Sequence, residues 1–339
     1  MHIIRPIRSD DFSALQQIAI ESGHGFTSLP QCDEQLGAKI QAVENTVNNL
    51  NPVNHDGSYL FVLEDTDSKE ILGTTGIEAS VGMTSPLYHY RLSNIKLCSK
   101  SLGVNKLVST LNVCNDYHGA TEICTLFLRE AYRKGLAGRL LSKVRFLFMA
   151  QHPQRFSSTV IAEMRGVSDQ HGKSPFWQWL QEHFFDIEFN DAVHLVGVGE
   201  KHFISELMPK HPIYVSLLSQ AAQAVIGQAH DNTVPALRLL QQEGFAHKGY
   251  VDLFDAGPTV EAQLNEIRSV NDSIIATVNI AEVSGNDNIM LCNTNVRDFR
   301  ATVSNHVSYD DKSLVLTISP EIAEHLLLAN NDLVRFLTL

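Results

Sequence analysis

The chain has 339 residues and a formal net charge of −12 at pH 7, with 44% hydrophobic and 19% charged residues. This length exceeds one ordinary core, so we expect two domains or one domain with an appendage. The acidic balance argues against general nucleic-acid binding, which needs a basic face. No apolar run approaches the roughly 20 residues of a membrane span.

The cysteines and the N-terminus predict a cytoplasmic protein. Five scattered cysteines form no CxxC pair, which favours reduced thiols and gives no support to a metal site. The N-terminal stretch reaches acidic residues by position 10 and contains no apolar segment of a signal peptide.

The first 200 residues alternate predicted strands and helices, which indicates an α/β sheet covered by helices. The predicted strands are 2–7, 58–65, 70–82, 122–128 and 158–166. The predicted helices are 9–22, 136–152 and 174–185.

The second part of the chain repeats this order and then changes character. A helix over 202–228 ending in a short strand, a helix over 231–245 capped by Asp231, and a strand with a turn over 248–259 are predicted. From about residue 270, short β-like runs separated by Asn, Asp and Gly precede one helix over 319–329, which predicts a small β-rich subdomain.

The stretch "YRKGLAGRLL" (132–141) follows a predicted strand and opens a predicted helix. Free N–H groups and the dipole at a helix N-terminus favour anions, and glycine permits close approach. Neither the P-loop nor the GxGxxG pattern is present. A phosphate-binding turn and an ordinary helix start both fit these residues.

The same stretch resembles the coenzyme A turn of GNAT N-acyltransferases, Arg/Gln-x-x-Gly-x-Gly/Ala. The matching residues are Arg133, Lys134, Gly135, Leu136, Ala137 and Gly138, with the first glycine one position early. A second resemblance follows in "VPALRLLQQEGF" (234–245), where Ala236, Leu240, Gly244 and Phe245 fit a GNAT spacing. The resemblance implies an α/β, GNAT-like fold and a coenzyme A pyrophosphate on the turn.

Several longer sequence motifs are similar to those of the arginine N-succinyltransferase family, and they occur in a consistent order along residues 1 to about 260. They are "TSLP" (27–30), "CTLFL" (124–128), "AEMRG" (162–166), "SPFW" (174–177), "ELMPKHPIY" (206–214) and "FDAGPT" (254–259). The resemblance implies transfer of succinyl from succinyl-CoA to the α-amino group of L-arginine, giving N2-succinyl-L-arginine, the first step of arginine catabolism by this route. It also implies succinyl-CoA contacts at Leu126 and Leu128.

Three residues compete for the role of the base that deprotonates the acceptor amine. His230 lies between a predicted strand and a predicted helix, where ligand crevices of α/β sheets form, and the family resemblance gives it the proton-acceptor role. Glu122, at the start of the strand "EICTLFL", is the alternative base, provided that burial raises its pKa. His211, before Pro212, is a second rival, although a turn role suits it better.

Other residues are predicted to serve the acceptor and the acyl group. Glu163 and Arg165 share one face of the predicted strand 158–166 and are candidates to bind the guanidinium and the carboxylate of arginine, or to pair with each other. Cys124 lies in an apolar strand, so direct attack in a ternary complex is favoured over an acyl-cysteine.

The resemblance divides the chain into a GNAT-like unit with the coenzyme A turn (1–200), a partial second GNAT-like unit carrying His230 (201–260) and a β-rich subdomain (261–339). We expect no permanently bound cofactor, no metal, and no nucleic-acid or membrane partner. Succinyl-CoA is expected as a co-substrate. An oligomer is compatible with these properties. The alternatives are a transferase for ornithine or another basic amino acid, and a catalytically silent coenzyme A-binding subunit, which only the shifted glycine favours.

Overall fold

The structure is a computed structural model that describes residues 1–23, 28–49, 57–169, 172–189, 191–192, 195 and 202–339. Thr27 of "TSLP" and the predicted boundary at residue 200 lie outside the described residues. None of the described helices is long and apolar enough to cross a bilayer.

Strands dominate the fold. In chain order they are β1 His2–Pro6, β2 Ser58–Asp65, β3 Ile71–Glu78, β4 His89–Ser99, β5 Val104–Cys114, β6 Thr121–Leu128, β7 Thr159–Glu163, β8 Ile213–Tyr214, β9 Ala246–Asp252, β10 Pro258–Gln263, β11 Ile274–Ile280, β12 Ile289–Asn293, β13 Ala301–Ser304, β14 Val307–Asp310, β15 Val315–Ile318 and β16 Leu333–Thr338. They join in the order β14-β15-β11-β16-β12-β13-β1-β2-β3-β6-β7-β10-β9-β4-β5-β8.

Helices cover this sheet. They are α1 Phe12–Glu21, α2 Asp33–Asn48, α3 Ala137–Gln151, α4 Pro175–Leu180, α5 His202–Leu207, α6 Gln220–Val225, α7 Val234–Gln242, α8 Arg268–Asp272 and α9 Pro320–Leu326. The main core lies under α3, whose apolar side includes Leu140, Val144 and Phe148, all fully buried. A separate apolar cluster fills the C-terminal part around Leu316 and Phe336.

Alternation along β7 places its side chains on two faces. Val160, Ala162 and Met164 join the main core, whereas Ile161 packs against Tyr117 on the opposite face. Glu163 therefore points to the sheet face opposite α3, the face on which Ile161 lies.

The prediction of one helix over 202–228 is wrong. Pro209 and Pro212 lie between α5 and β8, and each lacks the N–H that a helix interior requires. The predicted strand 225–228 is also replaced by the end of α6 and a turn, and the cap of α7 is Thr233 rather than Asp231.

The β4–β5 hairpin and the helix α2 have no counterpart in the predicted elements. The three predicted domains remain a prediction. The predicted boundary between residues 260 and 261 falls inside β10, and β10 pairs with β7 of the first predicted domain, so their strands share one sheet. The C-terminal strands join that sheet through a single pair, Ile4 with Ala301.

Candidate active site

The central feature is a gap between two parallel strands. β6 and β7 pair only at Thr121 with Val160 and at Glu122 with Ile161. Within the described residues no further pair joins these strands, although β6 continues to Leu128. We call the gap between residues 123–128 and the end of β7 the slot.

A bulge interrupts β6 at the slot. Thr125 adopts a φ of 54°, which is unusual for a β-branched residue, and the register with β3 shifts between Thr74 and Gly76. The Thr74 hydroxyl donates to the carbonyl of Thr125 at 3.0 Å and holds the bulge in place. The bulge changes the direction of Leu126, the predicted succinyl-CoA contact.

The predicted phosphate turn lies at the end of β6. Gly135 has a φ of 78°, with no atom within 4 Å of where a Cβ would lie, so this side of the turn is open. Gly138 lies in the first turn of α3, and no side chain caps that helix. Since the first N–H groups of a helix have no intrahelical acceptor, an uncapped start can bind an anion.

The residues of the turn differ in their contacts and in their exposure to solvent. Arg133 Nε donates to the carbonyl of Leu128 at 2.9 Å, which ties the turn to the strand end. Arg133 and Lys134 are both exposed. Leu136 is half-buried and Ala137 is 7% exposed, so these two residues face the anion site through their backbone.

His230 lies just beyond the end of β7. Its N–H donates to the carbonyl of Arg165 at 2.8 Å, and the neighbouring Ala229 pairs with Gly166. β6 and β7 are parallel, so their carboxyl ends meet at one edge of the sheet. The structure therefore brings His230 and the turn at 133–138 to the same edge.

The imidazole of His230 is half-buried and hydrogen-bonded. Its Nδ1 accepts from the backbone N–H of Asn232 at 3.1 Å. Burial, followed by the charge of Arg165, holds the pKa of His230 below its usual value, whereas Asp231, Asp255 and the Ser168 backbone act in the opposite direction. A lowered pKa keeps the ring neutral at pH 7, which a base requires.

A buried carboxylate stabilises the segment at Arg165 and Gly166, to which the backbone of His230 is hydrogen-bonded. Asp255, 8% exposed, accepts from the N–H groups of Gly166 at 2.7 Å and Gly257 at 2.8 Å. A Cβ at Gly166 would lie 2.5 Å from the carbonyl oxygen and from Oδ1 of Asp255, so only glycine fits there. Burial raises the pKa of Asp255.

Glu163 and Arg165, the predicted acceptor-binding residues, each have their own contact. Glu163 Oε1 lies 2.7 Å from Nε2 of the fully buried His89, and its side chain keeps 26% exposure. Arg165 Nη2 donates to the Ser168 hydroxyl at 2.9 Å. The described residues contain no ion pair between Glu163 and Arg165.

Glu122 lines a cavity of about 600 Å³ between α2, the end of β3 and residues 80–87. Glu78, its cross-strand neighbour, lines the same cavity and pairs with Lys39 at 3.0 Å. The cavity lies on the same sheet face as Glu163, because Glu122 pairs with Ile161.

The two remaining candidates are less suited to the reaction. Burial raises the pKa of Cys124 to about 12, so its nucleophilic thiolate form is scarce at neutral pH. His211 is exposed and lines a separate cavity of about 230 Å³ beside Asn112 and Val113 of β5.

Comparison with known proteins places this fold and site in a family. The family model described as arginine N-succinyltransferase beta subunit matches residues 2–269, and that of its C-terminal domain matches 274–338. The chain belongs to the arginine N-succinyltransferase family. It is an acyltransferase.

The relatives match this family member along nearly its whole length. An arginine N-succinyltransferase of Yersinia pseudotuberculosis is 44% identical over 99% of this chain and 97% of its own, and that of Yersinia enterocolitica has the same identity and coverage. The solved structure of the arginine/ornithine succinyltransferase subunit AI from Pseudomonas aeruginosa superposes with a TM-score of 0.92, at 34% identity, over 100% of this chain and 98% of that one. The mixed α/β fold of the succinyltransferase family is thereby confirmed.

Two residues that contact the candidate site segments escaped the sequence analysis. His89 lies in the β4–β5 hairpin, which no sequence pattern had revealed as a structural element. Asp255 stands inside "FDAGPT", a stretch that marks the family, but its contact with Gly166 joins residues far apart in the chain.

Proposed function

We propose that this acyltransferase transfers a succinyl group from succinyl-CoA to the α-amino group of L-arginine, giving N2-succinyl-L-arginine and CoA. The observation that carries the proposal is the likeness, over nearly the whole chain, to relatives named arginine N-succinyltransferase. The slot between β6 and β7, which ends at an uncapped helix, is a site of the right kind for an acyl-CoA.

The donor is proposed to occupy the slot. Backbone groups of β6 that do not pair with β7 are able to pair with the pantetheine arm, and an N–H beside Leu126 polarises the thioester carbonyl. The pyrophosphate lies on the N–H groups from Gly135 to Gly138, with Arg133 and Lys134 supplying positive charge. Leu128, at the end of β6, contacts the pantetheine side of the donor.

The reaction is a direct attack within a ternary complex. The acceptor loses an ammonium proton to His230, and its nitrogen lone pair then forms a bond to the thioester carbon. The tetrahedral intermediate expels the thiolate of CoA, which takes up the proton that the attacking nitrogen loses as the amide forms, and the protonated His230 then releases its proton to solvent. Nδ1 of His230 accepts from Asn232, so the proton of the neutral ring is on Nε2. To accept a proton from the amine, the ring either gives up the hydrogen bond at Nδ1 or moves its proton away from Nε2.

The acceptor is proposed to lie on the face that carries Glu163 and Arg165. Glu163 binds the guanidinium, held by the buried His89, and Arg165 binds the carboxylate. The cavity beside Glu122 opens on the same face and provides room for the rest of the acceptor.

Glu163→Gln is expected to raise KM for arginine by about 10- to 100-fold, because a charge-assisted contact to the substrate is lost. The KM for succinyl-CoA should stay near that of the wild type. Steady-state kinetics with each substrate varied in turn measures both constants. Glu321→Gln, at an exposed position of the C-terminal part, is the matched control. A KM for arginine equal to that of the wild type would remove Glu163 from the acceptor site.

The reaction itself is tested by release of CoA from succinyl-CoA. Release that requires arginine supports the proposal. Equal release with ornithine supports a broader acceptor range, of the kind that the name arginine/ornithine succinyltransferase gives to the Pseudomonas aeruginosa protein. Binding of succinyl-CoA without any release contradicts the proposal.

The proposed location is the cytoplasm. All five cysteines are free thiols in the structure, as expected where thiols stay reduced. Succinyl-CoA and the free amino acid are the proposed partners.

A further inference from the structure

The β4–β5 hairpin extends well beyond its attachment to the sheet. β4 pairs with β9 only at residues 89–91, and β5 pairs with β8 only at 110–111. Among the described residues, the strand segments between these points pair only with each other. We call residues 92–109 the arm. At about 3.4 Å per strand residue, the arm extends about 25 Å beyond its attachment.

The two faces of the arm differ in chemistry. One face carries the cross-strand pairs Ile95 with Val108, Leu97 with Lys106, and Ser99 with Val104. The other face is mostly polar, with the pairs Asn94–Ser109, Lys96–Leu107 and Cys98–Asn105. The first face is thus an apolar stripe with one lysine.

The apolar face is exposed. Ile95, Leu97 and Val104 are 36%, 45% and 41% exposed, and Leu102 at the tip is 77% exposed. An isolated two-stranded ribbon is marginally stable in water, and its outer edges offer unpaired backbone groups. Apolar side chains clustered on such a ribbon mark a protein interface.

The charge of the arm is opposite to the net charge of the rest of the chain. The arm contains Lys96, Lys100 and Lys106 and no acidic residue, so it carries +3 and the remainder of the chain carries −15. A second copy of this chain is therefore a partner whose net charge outside the arm attracts the arm, and it is present at the same concentration.

We propose that the arm docks on a second copy of this chain, with its apolar face buried and Lys106, which lies on that face, paired with an acidic side chain of that copy. This assembly does not depend on the proposed reaction. It makes the arm an oligomerisation element inserted between β3 and β6.

Leu97→Lys is expected to raise the dissociation constant of the dimer by about tenfold or more, because a buried apolar anchor is replaced by a charge. Leu107→Lys, on the polar face at 69% exposure, is the matched control and should leave the constant nearly unchanged. Lys106→Glu should weaken the dimer, whereas Lys96→Glu on the polar face should not. Sedimentation velocity over a wide concentration range measures the constants.

Circular dichroism of each variant confirms that it is folded, which is expected since all four side chains are exposed or lie on the ribbon surface. Higher salt should weaken the wild-type dimer through screening. A wild-type chain that stays monomeric at all concentrations overturns the proposal, even if it binds a different protein. Equal dissociation constants for Leu97→Lys and Leu107→Lys overturn it as well.

Discussion

Replacing His230 with alanine is expected to lower kcat by about 10²- to 10⁴-fold, the usual contribution of a general base. The loss should appear with saturating succinyl-CoA and arginine, because the backbone contact of residue 230 with Arg165 is kept and the donor site is untouched. Stopped-time measurement of CoA release gives kcat. His211→Ala, at an exposed position beside β5, is the matched control and should keep the wild-type rate.

The pH dependence provides a second readout of the same residue. A base must be deprotonated to act, so kcat/KM should fall as the pH drops through the pKa of His230. Burial and Arg165 lower that pKa, so the fall should begin below the usual histidine range, and the alanine variant should lack it. Wild-type kcat in His230→Ala would instead assign the base to Glu122, and Glu122→Gln would then abolish the reaction.

Arg5→Ala is expected to destabilise the fold by about 3–5 kcal/mol, because it leaves buried Asp11 without its cation and leaves Glu64 with only the exposed Lys69, at 3.6 Å. Arg5 is 6% exposed and binds Asp11 in a bidentate manner, at 2.7 and 2.8 Å, while its Nε contacts Glu64. These contacts tie β1 and β2 to the turn before α1. Denaturant unfolding followed by circular dichroism measures the change.

The control for Arg5 is an exposed ion pair. Arg268 pairs with Asp272 at 3.2 Å on the surface of α8, and both side chains are more than half exposed. Arg268→Ala should change the free energy of unfolding by less than about 1 kcal/mol, since solvent screens such pairs. A loss at Arg5 no larger than that at Arg268 would mean that water or rearranged side chains satisfy Asp11 and Glu64.

Local sequence patterns located most of the elements that frame the site. Short apolar runs predicted β2, β6 and β7, and a strong helical pattern predicted α3 within one residue at each end. The prediction of one helix over 202–228 failed because its apolar spacing outweighed two prolines that interrupt the chain. The β4–β5 hairpin was missed because its distal half lies outside the core and therefore carries no burial pattern.

Residue identity and order were enough to reveal the family, the acidic composition and the basic glycine turn, because none of these depends on how the chain folds. Three features of the site became visible only in the folded chain: β6 and β7 separate after two pairs, Asp255 holds Gly166, and His89 contacts Glu163. These features depend on backbone pairing and on contacts between residues tens of positions apart. No local pattern encodes such contacts, because they arise when the sheet is assembled.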